Sequence, residues 1–337
     1  MSAPVLDLSD NTNCYGAPPS ALRALGIVAT VLKDSSMLGG DDVTRYPSAT
    51  ADALRAALAR MHGTTSDRIT TGCGSDGVLD AAVRTLVAPG ATLAHPDPTF
   101  SMIPELVSRN RLVAAPVPLA GDGDIRADLL LATGAAAIYV ASPNNPTGTP
   151  ASRAAIARLA ASGETLILDQ AYADFTSDAS LDLALARPNV LVTRTLSKAF
   201  GLAGLRVGYA IGDPALIARI EAARDPYAVS AVAERAACAV IERDLTWVRE
   251  RAAEAVRDRA RLAAALTACG FAPLRSEANF VLVPVRDALA CAGRMRERGV
   301  MVRAFPALTG IGDAVRITVA PSPALERAVA ALAEAAR

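Results

Sequence analysis

The sequence predicts an α/β protein, with a large domain on a mainly parallel seven-stranded sheet and a smaller α+β domain. Three observations carry this. Between residues 69 and 211, seven short apolar runs alternate with helical patterns. Those runs are apolar almost without interruption, the pattern of strands covered on both faces. After Gly270 the chain changes to short strand-like runs around one helix.

In chain order, strands are expected at Ile69–Thr71, Thr92–Ala94, Val113–Val117, Ala137–Val140, Thr165–Leu168, Val190–Thr193 and Val207–Ile211. Helices fall between most of them, such as Gly77–Leu86 and Ser152–Ala161. Residues from about 213 to 268 read as a long Ala/Arg-rich helical region. It is interrupted at Asp225-Pro226, because proline lacks a backbone donor and disfavours helix in the residue before it. The small domain offers strands at Phe280–Val283, Val300–Arg303 and Val315–Val319, a helix from about 286 to 297, and a closing helix from about 322. The N-terminal arm, residues 1–30, is rich in Asn, Asp and Pro and is expected to pack on the small domain. The large domain then spans 31–240 and the small one 241–337.

Composition narrows the function. The 337 residues are 52% hydrophobic and 20% charged with zero formal net charge, so a large core is available and a nucleic-acid or membrane-surface partner is disfavoured. Five scattered cysteines, Cys14, Cys73, Cys238, Cys269 and Cys291, suit reduced thiols better than a disulfide framework. With only His62 and His95, a histidine-rich metal site is excluded and a Ser-His-Asp triad is short of candidates. The start, MSAPVLDLSD, has no basic and apolar leader pattern, and no apolar run approaches the roughly 18 residues of a membrane span. A cytoplasmic protein is expected. Only two of the 34 basic residues are lysines, Lys33 and Lys198. Where arginine has replaced lysine almost everywhere, a remaining amine is a candidate for chemistry that a guanidinium cannot perform, such as imine formation.

In open α/β sheets, ligands bind beyond the carboxyl ends of the strands. One expected strand runs into Asp169-Gln170-Ala171-Tyr172, and the next runs into Thr195-Leu196-Ser197-Lys198. Adjacent strands would bring an acid and an amine to one edge. A pyridoxal phosphate site requires this pair: the amine forms an imine, and the carboxylate keeps the pyridine nitrogen protonated. An ordinary Asp–Lys ion pair is the other reading. Gly72-Cys73-Gly74-Ser75-Asp76-Gly77, between a strand and a helix, suits a phosphate at a helix N-terminus, or Ser75 and Asp76 merely cap the helix. Ser142-Pro143-Asn144-Asn145-Pro146-Thr147-Gly148 is a turn from which Asn145 can donate to a ring oxygen. Gly201-Leu202-Ala203-Gly204-Leu205-Arg206 either brings Arg206 beside a phosphate or is a tight return into the next strand.

In their order and spacing these motifs resemble the class I/II aminotransferases of fold type I, and most closely the histidinol-phosphate aminotransferase branch. The resemblance runs from Asn11-Thr12-Asn13-Cys14-Tyr15-Gly16 through Arg45-Tyr46-Pro47, SPNNPTG, DQAY and RTLSKAFGLAGLR to Ala278-Asn279-Phe280 and Val315-Arg316-Ile317-Thr318. It implies pyridoxal 5′-phosphate, an amino donor and a 2-oxo acid acceptor such as 2-oxoglutarate. By the same resemblance, Lys198 would carry the cofactor and shuttle the proton, Asp169 would pair with the pyridinium nitrogen, and Tyr172 and Asn145 would bind the ring 3′-oxygen. Ser75, Asp76, Thr195, Ser197 and Arg206 would hold the phosphate, with Tyr46 reaching it from the neighbouring subunit of a homodimer. Phe100 would stack on the ring. Arg316 would grip a substrate carboxylate, while Tyr15, Asn145 and Arg303 would line the substrate pocket. For histidinol phosphate, which has no carboxylate, Arg316 and Arg303 would meet the phosphate.

The chain departs from the family in Thr12 and Cys14 (NTNCYG for NENPYG), in Gln170 for Glu, in Phe100 for Tyr, and in Ala228 where Asn usually follows the tyrosine. None touches the Lys198–Asp169 core, so these changes bear on substrate. Beside histidinol phosphate, the same branch accommodates aromatic or other amino acids, and a lyase such as a threonine-phosphate decarboxylase has a similar sequence. An intact Lys198, Asp169 and Arg206 disfavour a catalytically silent binding protein.

Overall fold

The computed structural model describes residues 5–31, 46–177 and 180–336. Lys33 and Arg45 lie outside the described residues.

After a short strand β1 (Leu6–Asp7) come helices α1 (Pro19–Val31) and α2 (Asp52–Met61). The large sheet then begins. It contains β2 (Ile69–Cys73), β3 (Thr92–Asp97), β4 (Val113–Pro118), β5 (Ala137–Ala141), β6 (Thr165–Asp169), β7 (Val190–Thr195) and β8 (Val207–Ile211). Their order across the sheet is β2-β8-β7-β6-β5-β3-β4, with β8 antiparallel to both its neighbours and the other pairs parallel. All seven expected strands are present. Helices α3 (Gly74–Leu86) and α4 (Met102–Arg109) lie among the connections, as do α5 (Ala127–Ala132), α6 (Arg153–Ala161) and α7 (Leu181–Ala186).

The unbroken apolar strands are explained by what covers them. Ile138, Val140, Leu166, Leu168, Val190 and Val192 pack against Leu130 of α5 and Ile156 and Leu159 of α6. On the other face Ala137, Tyr139, Ala141 and Ile167 pack against Leu79 and Val83 of α3 and Ile103 and Leu106 of α4. Alternate residues of one strand thus serve opposite cores, so both faces are predominantly apolar until the strand ends.

The helical region after the sheet is three helices, α8 (Pro214–Ala223), α9 (Ala231–Arg243) and α10 (Leu245–Ala268). The break around Asp225-Pro226 is as expected. A second break falls at Asp244, which is buried and accepts from the Ser20 backbone N–H at 2.6 Å and the Ser20 hydroxyl at 2.9 Å. Its carboxylate thereby satisfies a free N–H in the first turn of α1, where an anion suits the helix dipole.

The small sheet joins β9 (Phe280–Pro284), β11 (Arg303–Leu308) and β12 (Gly312–Thr318) in the antiparallel order β11-β12-β9. Helices α11 (Ala288–Glu297) and α12 (Ser322–Ala335) accompany it. The expected strand Val300–Arg303 is two elements. β10 (Val300–Met301) pairs with β1 of the N-terminal arm, and Arg303 opens β11 in the other sheet. The short run joins two sheets because the arm supplies β10 with a partner that neighbouring sequence does not reveal.

Gly208, in β8, is where the sheet meets the start of α3. A Cβ there would lie 2.2 Å from the Gly74 carbonyl carbon and 2.2 Å from the Ser75 nitrogen, and neither backbone atom can yield. Gly208→Ala is therefore expected to lower stability by about 1–3 kcal/mol or more and to loosen the turn carrying Ser75. Gly293→Ala, exposed in α11 with nothing within 4 Å of the new carbon, should raise stability by about 0.5–1 kcal/mol. Thermal unfolding of both variants checks the contrast; equal Tm values would contradict it.

Candidate active site

A cavity of about 260 Å³ opens beyond the carboxyl ends of β5, β6 and β7, between the first turn of α3 and the sheet carrying β11 and β12. Its walls include Ser75, Asp76, Phe100, Asn145, Asp169, Tyr172, Thr195, Ser197, Lys198, Arg206, Arg303 and Arg316. Of the residues singled out in the sequence, only Tyr15 and Tyr46 are not on it.

Asp169 ends β6 and sits opposite Thr193 in the register with β7, which leads directly to Lys198. The carboxylate is 5% exposed. It accepts from the Tyr139 hydroxyl at 2.9 Å and from the Ala171 N–H at 3.1 Å. Burial pushes it up to about 6, against the pull of those donors and of the Thr193 hydroxyl. Lys198 does not neutralise it: its Nζ donates instead to the Asp10 carbonyl at 3.3 Å and stands 5.7 Å from the centroid of the Tyr172 ring. The plain ion-pair reading is thus not what the fold builds. It holds the acid and the amine on one cavity without joining them.

At the opposite wall, α3 begins with Cys73 as its N-cap residue and no side-chain cap. Ser75 and Asp76 therefore lie inside the first turn and do not cap it. Arg206, in the left-handed region at φ 53°, follows the glycine-containing return and directs Nη2 to Asp76 Oδ2 at 2.9 Å and Nη1 to Ser197 Oγ at 3.5 Å. The Thr195 hydroxyl donates to Ser197 Oγ at 2.9 Å and accepts from the Ser197 N–H at 3.1 Å. Hydroxyls, a guanidinium and a helix N-terminus converge as a phosphate requires.

The turn Ser142–Gly148 divides its two asparagines. Asn144 is buried and structural: its Nδ2 donates to the Pro98 carbonyl and to Thr147 Oγ1, both at 3.0 Å. Asn145 faces the cavity, and its Oδ1 accepts from Arg316 Nη1 at 2.6 Å, leaving the Nδ2 donors for a ligand. Arg316, 7% exposed, also donates to the Ser9 carbonyl at 2.7 Å. Its guanidinium carbon lies 5.2 Å from the Phe280 ring centroid and 5.4 Å from that of Phe305. Burial lowers its proton affinity, and nearby Arg303 lowers it further. Tyr172 is fixed by the Asn11 side-chain amide, which donates to its hydroxyl at 3.0 Å, and by an edge contact with Phe280 at 5.2 Å between centroids.

Tyr15, expected at the side-chain end of the substrate pocket, is not among the residues lining this cavity. Its hydroxyl donates to Asp258 Oδ2 at 2.9 Å, which turns the ring toward α10, away from the cavity. Asp258 is a buried carboxylate that needs donors, and the Asn13 side chain helps set the turn by accepting from the Tyr15 N–H at 2.8 Å. Tyr46 is 83% exposed and packs on Tyr227 at 4.9 Å between centroids. Sequence reasoning assigned no site role to Asp10, Ser101, Phe305 or Tyr139. Tyr139 gives no signal in the sequence, where it reads as one more apolar residue of a buried strand.

The donor set fits pyridoxal 5′-phosphate. Among the described residues Asp169 is a buried carboxylate held only by neutral donors, which suits a protonated ring nitrogen, Lys198 is an amine with no carboxylate partner, and the opposite wall is an anion cradle. Comparison with known proteins agrees. The family profile of Aminotransferase class I and II matches residues 3–332. The chain is 36% identical to a histidinol-phosphate aminotransferase of Roseiflexus castenholzii, covering 94% of this chain and 85% of that one. It is 37% identical to histidinol-phosphate aminotransferase 2 of Burkholderia mallei, covering 96% and 91%. The crystal structure of histidinol-phosphate aminotransferase from Sinorhizobium meliloti in complex with pyridoxal-5′-phosphate superposes with a TM-score of 0.88 at 30% identity, over 99% of this chain and 91% of that one. A match along nearly the whole chain, on a fold that brings Asp169 and Lys198 to one cavity, makes this protein a member of the class I and II aminotransferases and a pyridoxal-phosphate-dependent transaminase of fold type I.

Proposed function

We propose that the chain transfers an amino group from histidinol phosphate to 2-oxoglutarate. The observation that carries this is the pairing of Arg303 with Arg316, directly opposite each other on β11 and β12 and both on the cavity wall. Among the described residues neither forms an ion pair. Two like charges facing across a strand pair cost stability unless an anion joins them, and a phosphate dianion answers two guanidiniums better than one carboxylate does.

When bound, pyridoxal 5′-phosphate supplies an electron sink for the substrate's Cα–H bond. The chain's own residues do the rest. Arg206, Ser75, Thr195, Ser197 and the N–H groups opening α3 would hold the cofactor phosphate, with Asp76 orienting Arg206. Asp169 would hold the proton at the ring nitrogen. Tyr172 and Asn145 would bind the ring hydroxyl oxygen, and Phe100 would cover one ring face. Lys198 would act as general base toward the proton on the substrate Cα. Tyr46 belongs to the phosphate site of a second copy, so the working unit is a homodimer; its exposure supports that assignment. No described helix is long and apolar enough to cross a membrane.

A second reading is favoured by Phe305, a phenyl ring on the cavity lining beside Arg316. Here an aromatic amino acid binds through its carboxylate on Arg316. A coupled assay of glutamate formation from 2-oxoglutarate decides between them. Under the first reading, kcat/KM for histidinol phosphate exceeds that for phenylalanine, tyrosine and leucine by about 100-fold or more. A preference for phenylalanine installs the second, and release of carbon dioxide without glutamate overturns both.

Lys198→Ala is expected to abolish turnover and borohydride fixation of the cofactor on the peptide containing residue 198, while Lys33→Ala leaves both intact. Arg316→Lys should weaken substrate use by about 30–100-fold, since an ammonium cannot reproduce the fork, with cofactor affinity changed less than about threefold. Equal losses would remove Arg316 from the substrate site.

A further inference from the structure

Tyr139 sits in the middle of β5, fully buried at 0% exposure among Leu79, Val83, Ile103 and Ile167. A phenol in such surroundings is costly compared with a phenyl ring unless its hydroxyl is bonded. The hydroxyl is bonded to one group, Oδ2 of Asp169, at 2.9 Å. The other carboxylate oxygen accepts from the Ala171 N–H. The Thr193 hydroxyl, buried without a full hydrogen bond of its own, adds a weaker pull from β7. Burial and the adjacent carboxylate keep the phenol protonated far above its ordinary range, so Tyr139 is a permanent donor. Two other ionisable groups act on this pair: Asp76, from α3 and paired with Arg206, and Tyr172, after β6; Lys198, after β7, lines the same cavity with its amine on the Asp10 carbonyl.

We propose that Tyr139 is a positioning residue for this enzyme: from inside the sheet its hydroxyl fixes the plane of the Asp169 carboxylate and keeps it ionised, so that a proton shared with the cofactor's ring nitrogen stays on the nitrogen. The inference rests on Asp169 being that nitrogen's partner. Desolvation alone favours the neutral acid, and a neutral acid at this position gives the ring no proton-holding anion. Tyr139 offsets that tendency without bringing a charge of its own, which would compete with the pyridinium. A phenylalanine would fill the same space and leave Oδ2 without its donor.

The test compares Tyr139→Phe with the parent enzyme, and each with its own Asp169→Asn derivative, in the cofactor-free and loaded forms. In the cofactor-free parent, the acid that Asp169 carries is favoured by the fold. Stability is therefore full below the unfolded value near 4 and falls as pH rises through about 6, and Asp169→Asn removes that fall. In Tyr139→Phe the fall extends upward by about one pH unit or more, the equivalent of an approximately tenfold change in proton affinity for one charge-assisted hydrogen bond. In the loaded enzyme, kcat drops about tenfold while KM stays within about twofold. Replacing Tyr139 by 3-fluorotyrosine, a stronger donor of nearly equal size, shifts the pH window downward and covers the case in which the phenylalanine variant does not fold. A stability loss equal at every pH, or an unmoved window with unchanged kcat, overturns the role of Tyr139. If Asp169→Asn itself leaves cofactor affinity and turnover intact, the assignment of Asp169 fails instead.

Discussion

The site is organised around a buried carboxylate that the protein stabilises only part of the way. Asp169 sits at the end of a strand whose preceding residues face apolar cores, with neutral donors on both oxygens and no cation bonded to it. Burying an anion in this manner is unfavourable unless a positive partner arrives. The fold thus holds a position that a protonated ring nitrogen completes. The one lysine among the described residues is kept nearby with its amine on a backbone carbonyl, where it does not cancel the charge.

Positive charge is treated in two ways across the cavity. Arg206 is neutralised within the chain by Asp76 and keeps Nη1 toward Ser197 Oγ and the Ala203 carbonyl. Arg316 lies between two phenyl rings, bonded to two neutral oxygens, with a second guanidinium as its cross-strand neighbour. Leaving that pair uncompensated costs stability unless an anion joins it. The contrast is between a guanidinium compensated within the chain and two that are not.

Much of this was legible in the sequence, for identifiable reasons. The large sheet could be read because its central strands β5 and β6 are apolar on both faces, and Asp169 and Lys198 stood out because they lie where the strands end. Other features were not legible. Val300–Arg303 reads as one strand because its division depends on β1, nearly 300 positions earlier in the chain. Tyr15 carries the family motif, yet its direction is set by Asp258 on α10, and no local pattern announces that contact. Asp244 looks like any residue of an Ala/Arg-rich helix, and its role as the partner of Ser20 appears only when α1 lies against it. Tyr139 is hidden for the opposite reason: a tyrosine in a buried strand needs no explanation until its hydroxyl is seen to have a partner.

The N-terminal arm shows how the two halves of the site are kept in register. Asn11, at φ 53° in a region asparagine tolerates better than most residues, divides its polar atoms among three separate segments of the chain. Its N–H donates to Thr318 Oγ1 at 3.0 Å, and its Oδ1 accepts from the same hydroxyl at 3.1 Å. Its carbonyl accepts from Asn279 at 3.1 Å, and its Nδ2 donates to the Tyr172 hydroxyl at 3.0 Å. Thr318 is two residues from Arg316 on β12, whereas Tyr172 belongs to the turn after Asp169. A single side chain therefore ties the strand that carries Arg316 to the turn that follows Asp169. Because its neighbours Asp10 and Ser9 offer their carbonyls to Lys198 and Arg316, displacing the arm would disturb the amine, the guanidinium and the phenol together. The spacing of the groups around the cavity is thus held by the arm as well as by the two sheets.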